Sequence, residues 1–315
     1  MARPLIVITG GAGFIGTHLA ERLLKHSSVV LYDNLRRDSL SMVPSLKRRA
    51  VFINGDVLDR PSLEAAFDGA DTVIHLAAIA GVSSYYSMPL QTLRVNLLGT
   101  VNALESAVAR RVRRFIHVST SEVFGPDALW VKEGDYHRVG GVSDKRWVYA
   151  TSKLASEQFV MRTGEATGMK CTILRPFNVY GPRQTGEGAI SNFCSAAAKG
   201  KPLEVYGDGT PLRAWCYISD FVDAVEAVLK RPASAGQDFN IGNPRETETT
   251  LGLARRVVRL APRSKIRWRD VVRAEVRARV PCIDKARKVL GFEPKVDLDE
   301  GLKRTIAWFR KSGAR

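Results

Sequence analysis

Hydrophobic positions along the chain follow two rhythms: short uninterrupted runs, and longer stretches with a helical period. Leu5-Ile6-Val7-Ile8 is the first run, aliphatic and β-branched as in a parallel strand buried on both faces. Gly10, Gly11, Gly13 and Gly16 follow at once, and residues 17–24 carry an apolar helical period. A second run, Val29-Val30-Leu31-Tyr32, ends in Asp33, and a third, Val51-Phe52-Ile53, ends in Asn54-Gly55-Asp56-Val57. Pro61 opens a short helix to residue 67. Further strands are predicted at 72–78, 115–119, 171–175 and 239–242, and helices at 91–110, 147–164, 220–230 and 298–311. Runs that alternate with helical stretches predict an α/β chain built on a doubly wound parallel sheet. From Pro176 the rhythm breaks into clustered Gly, Pro and polar residues through Gly209-Thr210-Pro211. The expected division is a sheet domain over residues 1–176 with returns near 214–242. A smaller, discontinuous lobe is expected from 177–213 and 243–315.

The order strand, glycine turn, helix start is that of a dinucleotide-phosphate cradle. Glycines allow a tight turn and close backbone approach, and the free N–H groups of a helix N-terminus face a pyrophosphate. Gly10, Gly13, Phe14, Ile15 and Gly16 are the candidate contacts there. Asp33, with Asn34 beside it, ends the second strand, where a carboxylate accepts from a ribose 2′-hydroxyl and repels a 2′-phosphate. NAD is therefore expected over NADP, although Arg36 and Arg37 lie just beyond. Asp56 and Val57 suit an adenine, and the small residues of Leu76-Ala77-Ala78 let backbone approach the far end of the cofactor. His75 reads as a packing residue.

Composition narrows the class. The 315 residues carry 48 Lys+Arg against 32 Asp+Glu, a formal charge of +16. Much of the excess is arginine in the last third, including Arg255, Arg256, Arg259, Arg263, Arg267, Arg269, Arg273, Arg277 and Arg279. They are not interleaved with aromatic platforms, so the expectation is a solvated basic surface suited to a diphosphate substrate rather than to nucleic acid. No run of about 18 apolar residues offers a membrane span, and the first strand begins too early to leave room for a signal peptide. Cys171, Cys194, Cys216 and Cys282 have no metal or redox spacing. A cytoplasmic protein with reduced cysteines and no metal is expected.

Candidate chemistry lies at Tyr149 and Lys153, four residues apart on one helix face. An unperturbed tyrosine titrates at about 10, but an adjacent ammonium and an oxidised nicotinamide both favour the phenolate. Tyr149 can then take a proton from a sugar hydroxyl while hydride leaves for NAD. Lys153 can also hold the nicotinamide ribose. In Ser119-Thr120-Ser121-Glu122, the Thr120 hydroxyl can share that proton, and Glu122 is a candidate second acid or base. The alternative for Glu122 is a pairing with one of the many arginines.

These segments, with His75-Leu76-Ala77-Ala78 and Arg175-Pro176-Phe177-Asn178-Val179-Tyr180-Gly181-Pro182-Arg183, resemble the extended short-chain dehydrogenase/reductase family. Within it the chain resembles the nucleotide-sugar epimerases, dehydratases and decarboxylases. The resemblance implies a Rossmann-type sheet and places Asn96, Ser119 and Pro176 at the cofactor. It places Ser121 at the sugar, Asn178 and Arg213 at the diphosphate, Asn192 and Phe193 at the base, and Tyr206 at the start of a diphosphate-binding strand. It implies a UDP-sugar substrate oxidised at C4, and a homodimer formed through the helices at 91–110 and 147–164. Three outcomes of a 4-keto sugar remain open. Epimerisation needs the least machinery and ranks first. Decarboxylation comes next, favoured by Glu122 but weakened by Pro211 where a basic residue is expected. Dehydration is third, since Ser121 stands where dehydratases carry an acid. A non-catalytic NAD-binding sensor or RNA-associated protein is the reading from another class, disfavoured by the intact Thr120, Tyr149 and Lys153.

Overall fold

The computed structural model describes residues 3–270 and 276–313; Arg273 lies outside them. Seven parallel strands form the central sheet: β1 (Leu5–Thr9), β2 (Ser28–Asp33), β3 (Val51–Asn54), β4 (Thr72–His75), β5 (Arg114–Val118), β6 (Lys170–Pro176) and β7 (Gln237–Ile241). Their spatial order is β7-β6-β5-β4-β1-β2-β3. The first run sits in the middle because both its faces are apolar. Ile6 and Ile8 pack on one side with Leu31, Ile74, Ile116 and Leu174, while Val7 packs on the other with Val30, Val73, Phe115 and Ile173. Alternate side chains of each strand thus feed two cores, as the pleat requires.

Helix α1 (Phe14–Leu23) covers the first face, where it packs on the helix Ile218–Lys230. The other face is covered by α2 (Gly99–Ala109) and α3 (Val148–Thr167). The stretch read as one helix over 91–110 starts earlier, at Pro89–Leu93, and passes through one π-helical turn, Arg94–Leu98, before α2. Gly99 lies where an added Cβ would come within 2.5 Å of Val57 Cγ2, so the helix approaches the β3 loop closely. The strand read over 72–78 stops at His75, and the small residues after it run on as a loop over the strand ends.

Outside the central sheet the described residues form three smaller sheets with loops and helices, in the part expected as a smaller lobe. Thr247–Thr249, Leu212–Ala214, Ala278–Pro281 and Asp127–Val131 lie in that order in a four-stranded sheet. Leu203–Tyr206 pairs with Ile266–Arg269, and Val179–Tyr180 with Cys216–Tyr217. The stretch from Tyr206 to Tyr217 is therefore divided among three sheets. Two helices, α4 (Ala189–Ala198) and α5 (Leu298–Lys311), pack together against this lobe. Asp127–Val131 enters it from within the first half of the chain. No helix among the described residues is long and apolar enough to cross a membrane.

Strand order reverses between β1 and β4, which makes the crevice at their carboxyl ends the expected ligand site. Gly10 stands at that crevice with φ +70, and a Cβ there would lie 2.7 Å from Ala77 N. Gly10→Ala is expected to destabilise the chain by about 1–3 kcal/mol, from left-handed backbone and overpacking together. A melting temperature equal to wild type would contradict the close approach.

Candidate active site

A cleft of about 400 Å³ opens at this switch point. Its wall includes Gly10, Gly13, Phe14, Ile15 and Gly16 from the first turn, and Asp33, Asn34, Asp56 and Val57 from the ends of β2 and β3. Leu76, Ala77, Ala78, Ser119, Tyr149, Lys153 and Pro176 complete the predicted set that reaches it. Gly13 precedes α1 without a side-chain cap, so the first-turn N–H groups are left for an anion. Gly16 leaves the turn its room: a Cβ there would be 2.6 Å from Gly10 O.

Asp33 is fixed at the cleft by the backbone. Its Oδ2 accepts from Ala12 N at 3.0 Å and its Oδ1 from Leu35 N at 2.7 Å. Burial raises its pKa, opposed by those backbone donors. Asp56 is held by Leu58 N, which donates to Oδ1 at 2.9 Å, and by Asn34 Nδ2 at 3.2 Å. Arg37 lines the cleft and donates to Ala80 O at 2.5 Å. An uncapped helix start, a glycine cradle and a carboxylate at the second strand end together fit a dinucleotide.

Asn96 does not line this cleft. It is fully buried beneath the loop, its Oδ1 accepting from Ile79 N at 2.8 Å and its Nδ2 donating to Ile79 O and Ser152 Oγ, both at 3.2 Å. It shapes the wall from behind. His75 is equally internal, between the hydroxyls of Thr9 at 2.7 Å and Thr100 at 3.1 Å, and burial lowers its pKa to about 3.

Tyr149 is buried and hydrogen-bonded to the Thr120 hydroxyl. Its pKa is pushed up to about 12, first by burial and then by Glu122, with Thr120, Arg37 and Arg279 pulling it down. Lys153 Nζ donates to Val118 O at 2.8 Å, and burial brings the ammonium down to about 8. The expected activation of Tyr149 by the lysine is therefore outweighed within the chain. Desolvation keeps the phenol protonated until further positive charge is added.

Glu122 settles between two guanidiniums. Arg146 Nη2 lies 2.7 Å from Oε2 and Arg279 Nη1 lies 2.7 Å from Oε1. Burial would raise its pKa, but Arg279 and Arg146, with Arg213 behind them, hold it below the usual carboxylate value. The pairing reading of Glu122 is the one observed. Arg279 is 2% exposed and also donates to Gly125 O at 2.8 Å. Arg146 lies over the ring of Tyr85, which stacks on Tyr149 with centroids 4.9 Å apart. The chain of contact Tyr149, Tyr85, Arg146, Glu122, Arg279 was not legible as a unit. Tyr85 sits in a polar run after the fourth strand, and Arg279 differs in no local way from its neighbouring arginines.

The remaining predicted substrate residues lie outside the cofactor cleft. Ser121 is buried in the turn Ser121–Phe124. Asn178, at φ +42, donates from Nδ2 to Ala214 O at 2.9 Å. Arg213 donates to Leu212 O at 2.9 Å and Val276 O at 2.7 Å. Asn192 is exposed on α4, whereas Phe193 is packed into the core with Ile190 and Cys194. Tyr206 is half-exposed at the end of its strand and bonded to Glu204.

Residues 6–242 match the model of the NAD-dependent epimerase/dehydratase family. The chain belongs to that family. It is an NAD-dependent enzyme that modifies a nucleotide sugar. It is 35% identical to a UDP-N-acetyl-alpha-D-glucosaminuronate decarboxylase of Bacillus cytotoxicus, over 97% of each chain. It is 34% identical to UDP-glucuronic acid decarboxylase 1 of Arabidopsis thaliana, over 98% of this chain and 70% of the relative. Among solved structures, UDP-glucuronic acid 4-epimerase from Bacillus cereus, in complex with UDP-glucuronic acid and NAD, superposes with a TM-score of 0.89. That likeness is 29% in sequence and covers 98% of this chain and 99% of that one. NAD is the cofactor of this family.

A depressed carboxylate contributes stability above its unfolded pKa and loses it as pH falls through the folded one. Glu122→Gln leaves Arg146 and Arg279 buried without a counter-charge, so at neutral pH a loss of about 3 kcal/mol or more is expected. The difference from wild type should shrink once pH falls below the ordinary glutamate value of 4.5. Thermal melts of both proteins against pH test it; a pH-independent difference would contradict the ionised pair.

Proposed function

We propose that this enzyme decarboxylates a UDP-linked uronic acid through a 4-keto intermediate. The observation that carries the reading is the excess of guanidinium at Glu122. Three arginines, Arg146, Arg213 and Arg279, act on one carboxylate. Among the described residues, Arg146 Nη1 and Arg279 Nε are buried without a hydrogen-bond partner, as is Glu122 Oε2. Unsatisfied buried donors cost about 1–3 kcal/mol each, which a substrate carboxylate, with its charge-assisted bonds, would recover more fully than the hydroxyls of a neutral hexose. The decarboxylase relatives support the same choice. This reverses the order drawn from the sequence, where epimerisation ranked first, because the double pairing of Glu122 had no signature there.

When bound, NAD would supply a reversible hydride acceptor for C4 and, in its oxidised ring, the positive charge that favours the Tyr149 phenolate. Tyr149 takes the O4 proton, with Thr120 sharing the hydrogen bond. The C6 carboxylate is then β to a ketone. The C5–C6 bond breaks, its electron pair passes into a C4–C5 enolate held at Tyr149 and Thr120, carbon dioxide leaves, and C5 takes up a proton. Glu122, kept ionised, works as the charge that holds Arg146 and Arg279 side by side. That state also disfavours dehydration, which requires a protonated acid to release the C6 hydroxyl. Asn178 and Arg213 belong to the diphosphate side of this lobe, with Ser121 beside the sugar and Asn192, Phe193 and Tyr206 toward the base.

The reading also includes a homodimer. Leu98, Val108 and Phe159 are exposed on the π-helical turn, α2 and α3, and Val108 and Phe159 flank a groove of about 340 Å³. Two such surfaces form a four-helix contact. Size-exclusion chromatography with light scattering is expected to give twice the chain mass, and Phe159→Glu a monomer. A monomeric wild type would remove this part of the reading.

Mass spectrometry on holoenzyme given UDP-glucuronate, UDP-N-acetylglucosaminuronate or UDP-glucose tests the reaction. Loss of carbon dioxide from a uronate is expected, and Tyr149→Phe should lower turnover by about 10²–10⁴. A new peak of unchanged mass would make the enzyme a 4-epimerase instead.

A further inference from the structure

Behind the Tyr149–Lys153 face lies a buried carboxylate that the reaction above does not use. Glu157 stands one turn beyond Lys153 on α3 and is 3% exposed. Ser119 Oγ, on the cleft wall, donates to its Oε1 at 2.5 Å. Arg175, from β6, clamps it with both arms, Nε on Oε1 at 2.9 Å and Nη2 on Oε2 at 2.7 Å. Arg175 Nη1 continues to Asp238 Oδ2 at 2.8 Å, and Asp238 Oδ1 to Lys285 Nζ at 2.6 Å. A line of alternating charge thus runs from the catalytic helix through β6 and β7 to the helix Asp284–Leu290.

A structural ion pair between α3 and β6 would need only Arg175. The Ser119 contact is the additional fact. Because its proton points to Glu157, the Ser119 oxygen faces the cleft as an acceptor. The residue before it, Val118, supplies the carbonyl that holds Lys153. One carboxylate therefore fixes Ser119 next to the Val118–Lys153 contact and places negative charge near the lysine.

From this arrangement we infer that Glu157 is a positioning residue that keeps Lys153 charged and Ser119 oriented during the reaction. The inference rests on reading Tyr149 and Lys153 as the proton-handling pair. The groups facing Lys153 are Glu157 and Tyr149 on its own helix, His75 on β4 and His117 on β5. Both histidines are buried and held neutral by desolvation, so Glu157 is the anion that opposes the lysine's own burial. Facing Glu157 are Lys153, Ser119, Arg175 and, from the loop before α3, His137. The ammonium is already lowered to about 8, so removing the glutamate charge moves its loss toward neutral pH.

Glu157→Gln in the holoenzyme tests this. The alkaline limb of kcat is expected to move down by about one unit, with KM changed much less. Calorimetric NAD affinity should lose its alkaline end over the same interval. Glu157→Asp, which keeps the charge, should retain the wild-type limb. If the Gln variant does not fold, the Glu157→Gln, Arg175→Gln double variant removes the orphaned guanidinium and should shift the limb in the same direction. Unmoved limbs in both kcat and NAD affinity, with activity falling only as folded protein is lost, would overturn the inference. If wild type converts no UDP-sugar, the reaction assignment fails, while the NAD-affinity arm still decides the role of Glu157.

Discussion

Two backbone segments meet at the centre of the sheet, and the site depends on their contact. The turn after β1 and the loop after β4 approach so closely at Gly10 and Ala77 that a single Cβ would part them. That contact is possible because β1 and β4 are parallel neighbours in matched register, Ile6 beside Thr72 and Thr9 beside His75. Beyond it a crevice is left that no side chain among the described residues fills. The uncapped start of α1, the backbone-held Asp33 and the small residues after His75 all face this one opening. The shape of the opening is thus set largely by main chain, and side chains are free to vary the chemistry above it.

That chemistry is governed by burial as much as by charge. Tyr149, Lys153 and Glu122 are each withdrawn from water, but with different results. The phenol is held protonated, the ammonium is brought near neutrality, and the carboxylate is kept ionised by two arginines. The lysine alone has little to spare for activating the tyrosine. Its charge is itself maintained, with Glu157 supplying the opposing field and Arg175 preventing that carboxylate from becoming an uncompensated anion.

The parts of this arrangement that follow local rules were legible in the sequence. Strand, glycine turn and helix share one stretch, and Tyr149 and Lys153 are related by a helical period. The doubly wound sheet followed from alternation alone. What escaped was non-local. Asp127–Val131 pairs in parallel with Ala278–Pro281, a contact between distant segments with no local pattern to announce it. Arg279 becomes a site residue only through that pairing, which brings it against Glu122. Glu157 escaped for the opposite reason, since a charged residue on a long helix usually faces solvent. The π-helical turn at Arg94–Leu98 was hidden because a bulged helix keeps an apolar period close to that of a regular one.

The strand Asp127–Val131 gives the molecule a mechanical property. The chain leaves the Thr120–Glu122 turn and within a few residues becomes an edge strand of the other lobe, hydrogen-bonded to the strand that carries Arg279. The Thr120–Glu122 turn is therefore tied to that sheet by chain continuity and by the Glu122–Arg279 pair. Moving that sheet away from the central one as a rigid body would strain the short link between Glu122 and Asp127 and separate the buried Glu122–Arg279 pair in the same movement.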